Sequence, residues 1–272
     1  MNALEVRHAG AGSGGRLRYD AAHWAREEDH RKALDQYLRL GEKAYNRTKC
    51  RLFSALAGDL RGKTILDYGG GAGILAVPFA KAGASVVIVD AERNALLTAA
   101  YYARREGVEQ RVATVESESF PSELKRQRFD LVLAKDIIEH IPDDQRFVDD
   151  LAQCQARGGV LLLSTHNNHS LNYAVEGTYQ RRWLGNREWC GWDPTHVRFY
   201  NAPALRRILR HAGYRPNRWA SAFVVPYNLP SWLLLHSRSI EFPAFSHFDL
   251  TLGRVFPFNR LGWNVIVRAV KL

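Results

Sequence analysis

Cysteine is scarce: Cys50, Cys154 and Cys190 are the only three in 272 residues, they lie far apart, and no C-x-x-C pair occurs. That excludes a disulfide framework and a cysteine-based zinc site, and it fits a reducing cytoplasm. Long apolar runs are missing too. No stretch approaches the ~20 residues of a membrane-spanning helix, and the opening MNALEVRHAGAGSGG holds no apolar segment of the kind a secretory signal needs. The chain is therefore expected to be neither exported nor integral to a membrane. Internal repeats and low-complexity segments are absent, which makes disorder a minor theme. Acidic residues are outnumbered, 28 Asp and Glu against 38 Lys and Arg, for a formal net charge of +10. An excess of this sign suits an anionic partner: a phosphorylated or carboxylated small molecule, an acidic membrane surface or a nucleic acid. The charges are scattered from Arg7 to Arg268 rather than blocked, which is equally the pattern of a solvated surface.

Hydrophobic residues make up 46% of the chain and charged ones 24%, so one large core with elaborations is expected. The most informative stretch is Thr64 to Gly73, TILDYGGGAG. A short apolar run ends in Asp67 and enters a turn with glycines at 69, 70, 71 and 73, where the backbone can approach a bulky ligand because no Cβ stands in the way. A dinucleotide pyrophosphate wants G-x-G-x-x-G; Gly69 and Gly71 fit, but the third position falls on Ile74. A carboxylate at the strand tip also repels a pyrophosphate and suits a nucleoside carrying an ammonium or sulfonium cation, and S-adenosylmethionine is such a ligand. SVVIVD follows, a β-branched run ending in Asp90, 21 positions after Gly69. An acid there, next to Ala91, is placed to accept hydrogen bonds from both ribose hydroxyls. The other role for Asp90 is to cap the helix expected from Glu92 to Arg105.

The rest of the chain keeps a strand and helix cadence. Ile74 to Ala82 reads as a helix, and RVATVE as a third strand with Glu116 and Ser117 just beyond it, beside an adenine or in a solvated loop. FDLVLA (129–134) and GGVLLLST (158–165) read as strands buried on both faces, Ala202 to Ala212 as a helix, and WASAFVV and GWNVIVRAV as the last strands. The cadence predicts a doubly wound, mostly parallel seven-stranded α/β sheet, Rossmann-like, with ligands outside the carboxyl ends of its strands. Residues 1–18 are expected as a flexible tail and 19–62 as a helical segment, with stripes at Leu34, Tyr37, Leu38, Tyr45 and at Leu52, Phe53, Leu56, Leu60 before Gly62 ends it. Arg47, Lys49 and Arg51 are expected on solvated helix surface, or one of them at a ligand carboxylate. The remaining domain, 63–272, carries irregular insertions at 166–198 and 226–259 that are expected to form a substrate lid. The first interleaves Tyr173, Tyr179, Trp183, Trp189 and Trp192 with arginines and has no clear period; the second holds SWLLLHS, suited to a lipid, an apolar substrate or local core packing.

TILDYGGGAG, VVIVDAE, FDLVLAKDIIEHIPD, GGVLLLST and THVRFYNAPALRRILRHAGY, in that order and spacing, resemble the class I S-adenosylmethionine-dependent methyltransferases. Within these the likeness is to the ubiquinone-biosynthesis O-methyltransferases and their relatives, over about residues 49–214. The resemblance implies that Asp67, Gly69, Gly71 and Gly73 surround the methionine part of the cofactor and that Asp90, with Ala91, binds its ribose. It places Glu116 and Ser117 at the adenine and Lys135 along the passage between cofactor and substrate. It also implies magnesium: in that branch an acid followed at three and four positions by Glu and His holds the ion, and Asp136, Glu139 and His140 match. The family's first acid is more often Glu, and Asp136 is shorter.

Methyl transfer from a sulfonium needs alignment and a nucleophile that loses its proton. For a phenol, of pKa about 10, a nearby base or a stabilising cation lowers the barrier. On a helix, Asp136, Glu139 and His140 would share one face. Magnesium prefers oxygen, so His140 stands as metal ligand, as general base tuned by the two acids, or as a packed structural residue, and His166 and His196 are further base candidates. The expected protein is a cytoplasmic O-methyltransferase releasing S-adenosylhomocysteine. Its expected substrate is a small hydroxylated aromatic, prenylated or lipid-linked compound, apolar with an anionic group, met with or without peripheral membrane contact. Carbon or nitrogen methylation and RNA methylation are the alternatives. No RNA-binding motif or appended domain accompanies the charge, so no nucleic-acid partner is expected.

Overall fold

The computed structural model describes residues 7–8, 23–187, 189, 193, 195–225, 228–229 and 240–272. Seven strands form the body of one sheet: β1 (Thr64–Tyr68), β2 (Ser85–Asp90), β3 (Val112–Glu116), β4 (Leu131–Lys135), β5 (Val160–His166), β6 (Tyr214–Ala222) and β7 (Asn264–Lys271). Their spatial order is β3, β2, β1, β4, β5, β7, β6, with the first five parallel and β7 antiparallel to both β5 and β6. The seven expected strands are therefore present, and an eighth, the two-residue piece Arg7–His8, adds in parallel to the outer edge of β3. The rest of the expected tail lies outside the described residues.

The central strands are apolar because both faces are covered: Ile65, Leu66, Val132, Leu133, Leu161 and Leu162 are all fully buried. On one face α5 (Asp144–Gln153) and α7 (Ala202–His211) supply Phe147, Leu151, Leu205 and Leu209 to the core. On the other, α2 (Ala44–Ala57), α3 (Ala76–Lys81) and α4 (Arg93–Arg105) supply Leu52, Phe53, Val77, Leu96 and Ala99. Local chemistry sets the ends. Asp29 caps α1 (His30–Glu42) by accepting from the amides of Arg31 and Lys32, and Asn201 caps α7 through Ala204, with proline in the first turn.

The structure corrects several boundaries. Tyr45 belongs to α2 rather than to the stripe of α1, and α2 ends at Gly58, whose φ of +80° an L side chain resists, four residues before the expected stop at Gly62. Insertion 166–198 is not aperiodic: it contains α6 (Leu171–Thr178), capped by Ser170 and continued by a wide π-type turn over Tyr179–Trp183. Insertion 226–259 contains α8 (His247–Thr251), flanked by 3-10 turns, while SWLLLHS lies outside the described residues. Among the described residues no helix is long and apolar enough to cross a membrane.

Candidate cofactor and acceptor site

The turn after β1 is shaped by space. A Cβ at Gly70 would stand 2.8 Å from the Asp67 carboxylate and 2.9 Å from Ile88, and Gly69, Gly71 and Gly73 all have positive φ. The amide of Gly69 donates to the carbonyl of Val89 at 2.7 Å, and that of Gly71 to Asp90 Oδ2 at 2.8 Å. Asp90 Oδ1 accepts from the amide of Glu92 at 2.9 Å. Asp90 thus ties the glycine turn to the start of α4 without being the N-cap, which is Glu92. A carboxylate offers about four acceptor positions, more than the backbone donors of Gly71, Glu92 and Ala91 take up, so acceptor capacity remains for a ribose hydroxyl. Burial raises the Asp90 pKa, against the pull of its backbone donors.

The neighbouring candidates gather around this turn. The amide of Ser117 bonds the carbonyl of Asp90 at 3.0 Å and its hydroxyl donates to the carbonyl of Ser119, while Glu116 meets Arg93 at 3.3 Å. Ala91 is the residue between Asp90 and the cap of α4. Burial drives the Asp67 carboxyl up to about 7, with Lys135 opposing the rise and Asp90 adding to it. Two aromatic residues that sequence reasoning had not linked to the site sit over the turn. The Tyr37 hydroxyl accepts from the amide of Ile74 at 3.3 Å, and the rings of Trp24 and Tyr37 are 4.5 Å apart with Gly71 beneath them. The segment bearing Trp24 is held by Asn94, whose Nδ2 donates at 2.8 Å to the carbonyls of Ala25 and Glu27. Periodicity marks Tyr37 only as part of the first helical stripe, and Trp24 precedes that stripe.

These groups fit S-adenosylmethionine: a cradle that a Cβ would fill, an acid with spare acceptor capacity at the ribose position, and a buried carboxyl suited to a cation.

The segment after β4 departs from the helical expectation. Asp136 has φ +54°, and only Ile138–His140 turn, as one 3-10 turn, so the two acids and His140 do not share a helix face. Asp136 faces α2 and the sheet. It is ion-paired with Lys49, accepts from Ser164 Oγ at 2.8 Å and Asn264 Nδ2 at 2.7 Å, and has Lys135 Nζ at 3.4 Å. Burial alone would raise its pKa, but Lys49 and Lys135 hold it well below the usual carboxylate range. Lys49, expected on solvated surface, is buried for this reason. Glu139 instead meets His166 at the tip of β5, with Oε1 3.1 Å from Nδ1, and His140 Nδ1 lies 2.9 Å from the Thr195 hydroxyl, itself bonded to Asp193 at 2.5 Å. Donors from Thr195 keep Asp193 below its ordinary pKa in spite of burial. The ring of His196 sits 4.8 Å from that of His140 and 4.7 Å from that of His166, and burial, then the neighbouring His166, lowers its pKa.

The three candidate bases therefore form one cluster with Glu139 and Asp193, and the residues present do not fit the magnesium set. Among the described residues the groups whose ligand atoms lie within 4.8 Å of one another are Glu139, His166, His196 and His140, Asp193, His196; Asp136 is in neither. The first insertion contributes Asp193, Thr195 and His196 and is pinned to the turn by the amide of Val197 donating to the carbonyl of Glu139 at 2.9 Å. Its Arg181 lies over the rings of Tyr173 and Trp189 at 4.9 and 6.0 Å and is engaged within the insertion, while Trp183 is exposed. Trp192 lies outside the described residues.

Sheet order, glycine cradle and strand-tip acid define the class I methyltransferase fold. A family model described as a methyltransferase domain matches residues 37–217, and the chain belongs to that family, the S-adenosylmethionine-dependent methyltransferases. It is 34% identical over 150 residues to the ubiquinone biosynthesis O-methyltransferase of Nitrobacter winogradskyi, covering 52% of this chain and 56% of that protein. Its likeness to the protein of that name from Bradyrhizobium sp. is 36%, over 52% and 57% of the two chains. The matches thus span a little over half the length of these relatives. Among solved structures, magnesium protoporphyrin IX methyltransferase from Synechocystis with bound S-adenosylhomocysteine superposes with a TM-score of 0.57 at 19% identity, covering 88% of this chain and 94% of that one. A methyltransferase from Haloferax volcanii in complex with the Trm112 activator gives 0.59 at 14%, over 94% and 99%.

Proposed function

We propose that the protein transfers a methyl group from S-adenosylmethionine to a hydroxyl oxygen of a small hydroxylated aromatic, prenylated or lipid-linked compound. The observation that carries this reading is the pair of His166 and fully buried Glu139 at the carboxyl edge of the sheet, two residues along from Ile137, which closes against Gly69. The names of the O-methyltransferase relatives agree with it. The bound sulfonium supplies the methyl group. In the glycine turn Asp90 holds the ribose, and Asp67 and Lys135 lie toward the methionyl end. With Glu139 ionised, Nδ1–H of His166 donates to it, which leaves Nε2 to take the proton of the acceptor hydroxyl as the new C–O bond forms and the C–S bond breaks. Exposed Phe242, Phe245, Phe248 and Phe256 in the second insertion, with Arg254 and Arg260 close by in sequence, support an apolar acceptor with an anionic group and contact with a membrane surface.

The test uses S-adenosylmethionine with a deuterated methyl group and a catechol bearing a prenyl chain, followed by mass spectrometry. The label is expected on a phenolic oxygen, and His166→Ala should lower kcat by roughly a hundredfold or more. Label on carbon or nitrogen would overturn the assignment to oxygen.

A further inference from the structure

We infer that Glu139, His166 and His196, flanked by His140 and Asp193, bind a first-row transition-metal ion, in a site distinct from the magnesium set that Asp136, Glu139 and His140 suggest. The inference rests on the function proposed above for the identity of the acceptor and revises its proton step at the same place in the fold: with an ion bound, Glu139 and His166 would be ligands, and the base role of His166 Nε2 belongs to the metal-free form.

The ligand atoms of Glu139, His166 and His196 already lie within 4.8 Å of one another, and His196 also belongs to the group formed by His140 and Asp193. They come from three elements: the 3-10 turn after β4, the tip of β5 and the loop before α7. The 3.1 Å between Glu139 Oε1 and His166 Nδ1 is a hydrogen bond, and it is also close to the ligand–ligand edge of a polyhedron with bonds of about 2.1 Å.

Charge supplies an independent argument. Glu139 is fully buried, and its Oε2 has no hydrogen-bond partner among the described residues. Its ion-pair partner among them is His166, which carries charge only when protonated. A buried carboxylate in that state calls for a cation or a further donor. Asp136, by contrast, is saturated by Lys49, Lys135, Ser164 and Asn264, so it brings no spare charge and faces elsewhere. Two imidazoles and one carboxylate suit zinc, iron, cobalt or nickel better than magnesium, which prefers oxygen and keeps its waters. Thr195, between His140 and Asp193, fixes those two groups as outer-shell partners do at metal centres. Three protein ligands leave open positions, where an acceptor hydroxyl would bind and lose its proton more readily.

The full-length chain, stripped with a chelator, is titrated with cobalt(II) and followed by its visible absorption, then challenged with zinc and with magnesium. Expected are uptake of one equivalent, displacement by zinc, and none by magnesium in large excess. His166→Asn and His196→Ala should each weaken uptake by at least about tenfold, while Asp136→Asn binds as the unmutated protein does; thermal melts confirm that each variant is folded. Absence of a cobalt band with the ion in excess overturns the inference without recourse to any variant. So does displacement by magnesium, or loss of binding in folded Asp136→Asn with both histidine variants unaffected. S-adenosylhomocysteine titrated into the same samples separates the two readings. Binding of that ligand without metal uptake leaves the methyltransferase assignment standing, whereas metal uptake without it removes that assignment instead.

Discussion

Asp67 shows how one buried group links pH to ligand. Its carboxyl titrates near 7 because burial outweighs the charge of Lys135, against about 3.9 in an unfolded chain. The folded state therefore binds the extra proton between these values, and stability falls as pH rises from about 4 to 7. A cation beside Asp67 favours the ionised form. Between pH 8 and pH 6 the ionised fraction drops from about nine tenths to about one tenth, so affinity for S-adenosylmethionine should fall roughly tenfold over that span. Asp67→Asn should bind more weakly at pH 8 and lose the pH dependence. Calorimetric titrations at the two pH values decide it; a flat profile in the unmutated protein removes Asp67 from the cofactor's neighbourhood.

At the scale of elements, the end of β6 is held by α8 rather than by its own strand partners alone. Phe223 has φ +60°, and its amide and that of Val224 donate to the two oxygens of buried Asp249 at 2.8 and 2.9 Å. Asp249→Ala should strand both donors and cost about 3 kcal/mol, read as a lower urea midpoint with an unchanged slope. Partners of this kind also mark the limit of what sequence reveals. The strands and the glycine turn were legible because apolar runs and the absence of Cβ atoms are local properties. Asp90 was legible from its spacing, although its bond to Gly71 was not. Lys49 looks solvated by pattern, and only folding brings it to Asp136, 87 residues away. That pairing turns Asp136 from a ligand candidate into part of the sheet edge. The same non-local chemistry unites Glu139 with His166 and His140 with Thr195, where a helical reading of 136–140 had grouped neighbours in the chain.

At the scale of the molecule, chemistry collects along the carboxyl edge of β1, β2, β4 and β5, with helix α1 and Trp24 covering the cofactor side and the first insertion covering the histidine side. On the function proposed above, work is divided between regions: the sheet edge and glycine turn would hold the methyl donor, and the insertions would meet the acceptor. The donor site is the common foundation of the account, so the most direct measurement is isothermal titration of S-adenosylhomocysteine into the unmutated chain and into Asp90→Ala. Binding at one site is predicted for the former. A roughly ten- to hundredfold loss is predicted for the latter, equivalent to about 1.5–3 kcal/mol of hydrogen bonds to a charged group. No detectable binding to the unmutated chain, or equal affinity in the two, would contradict it.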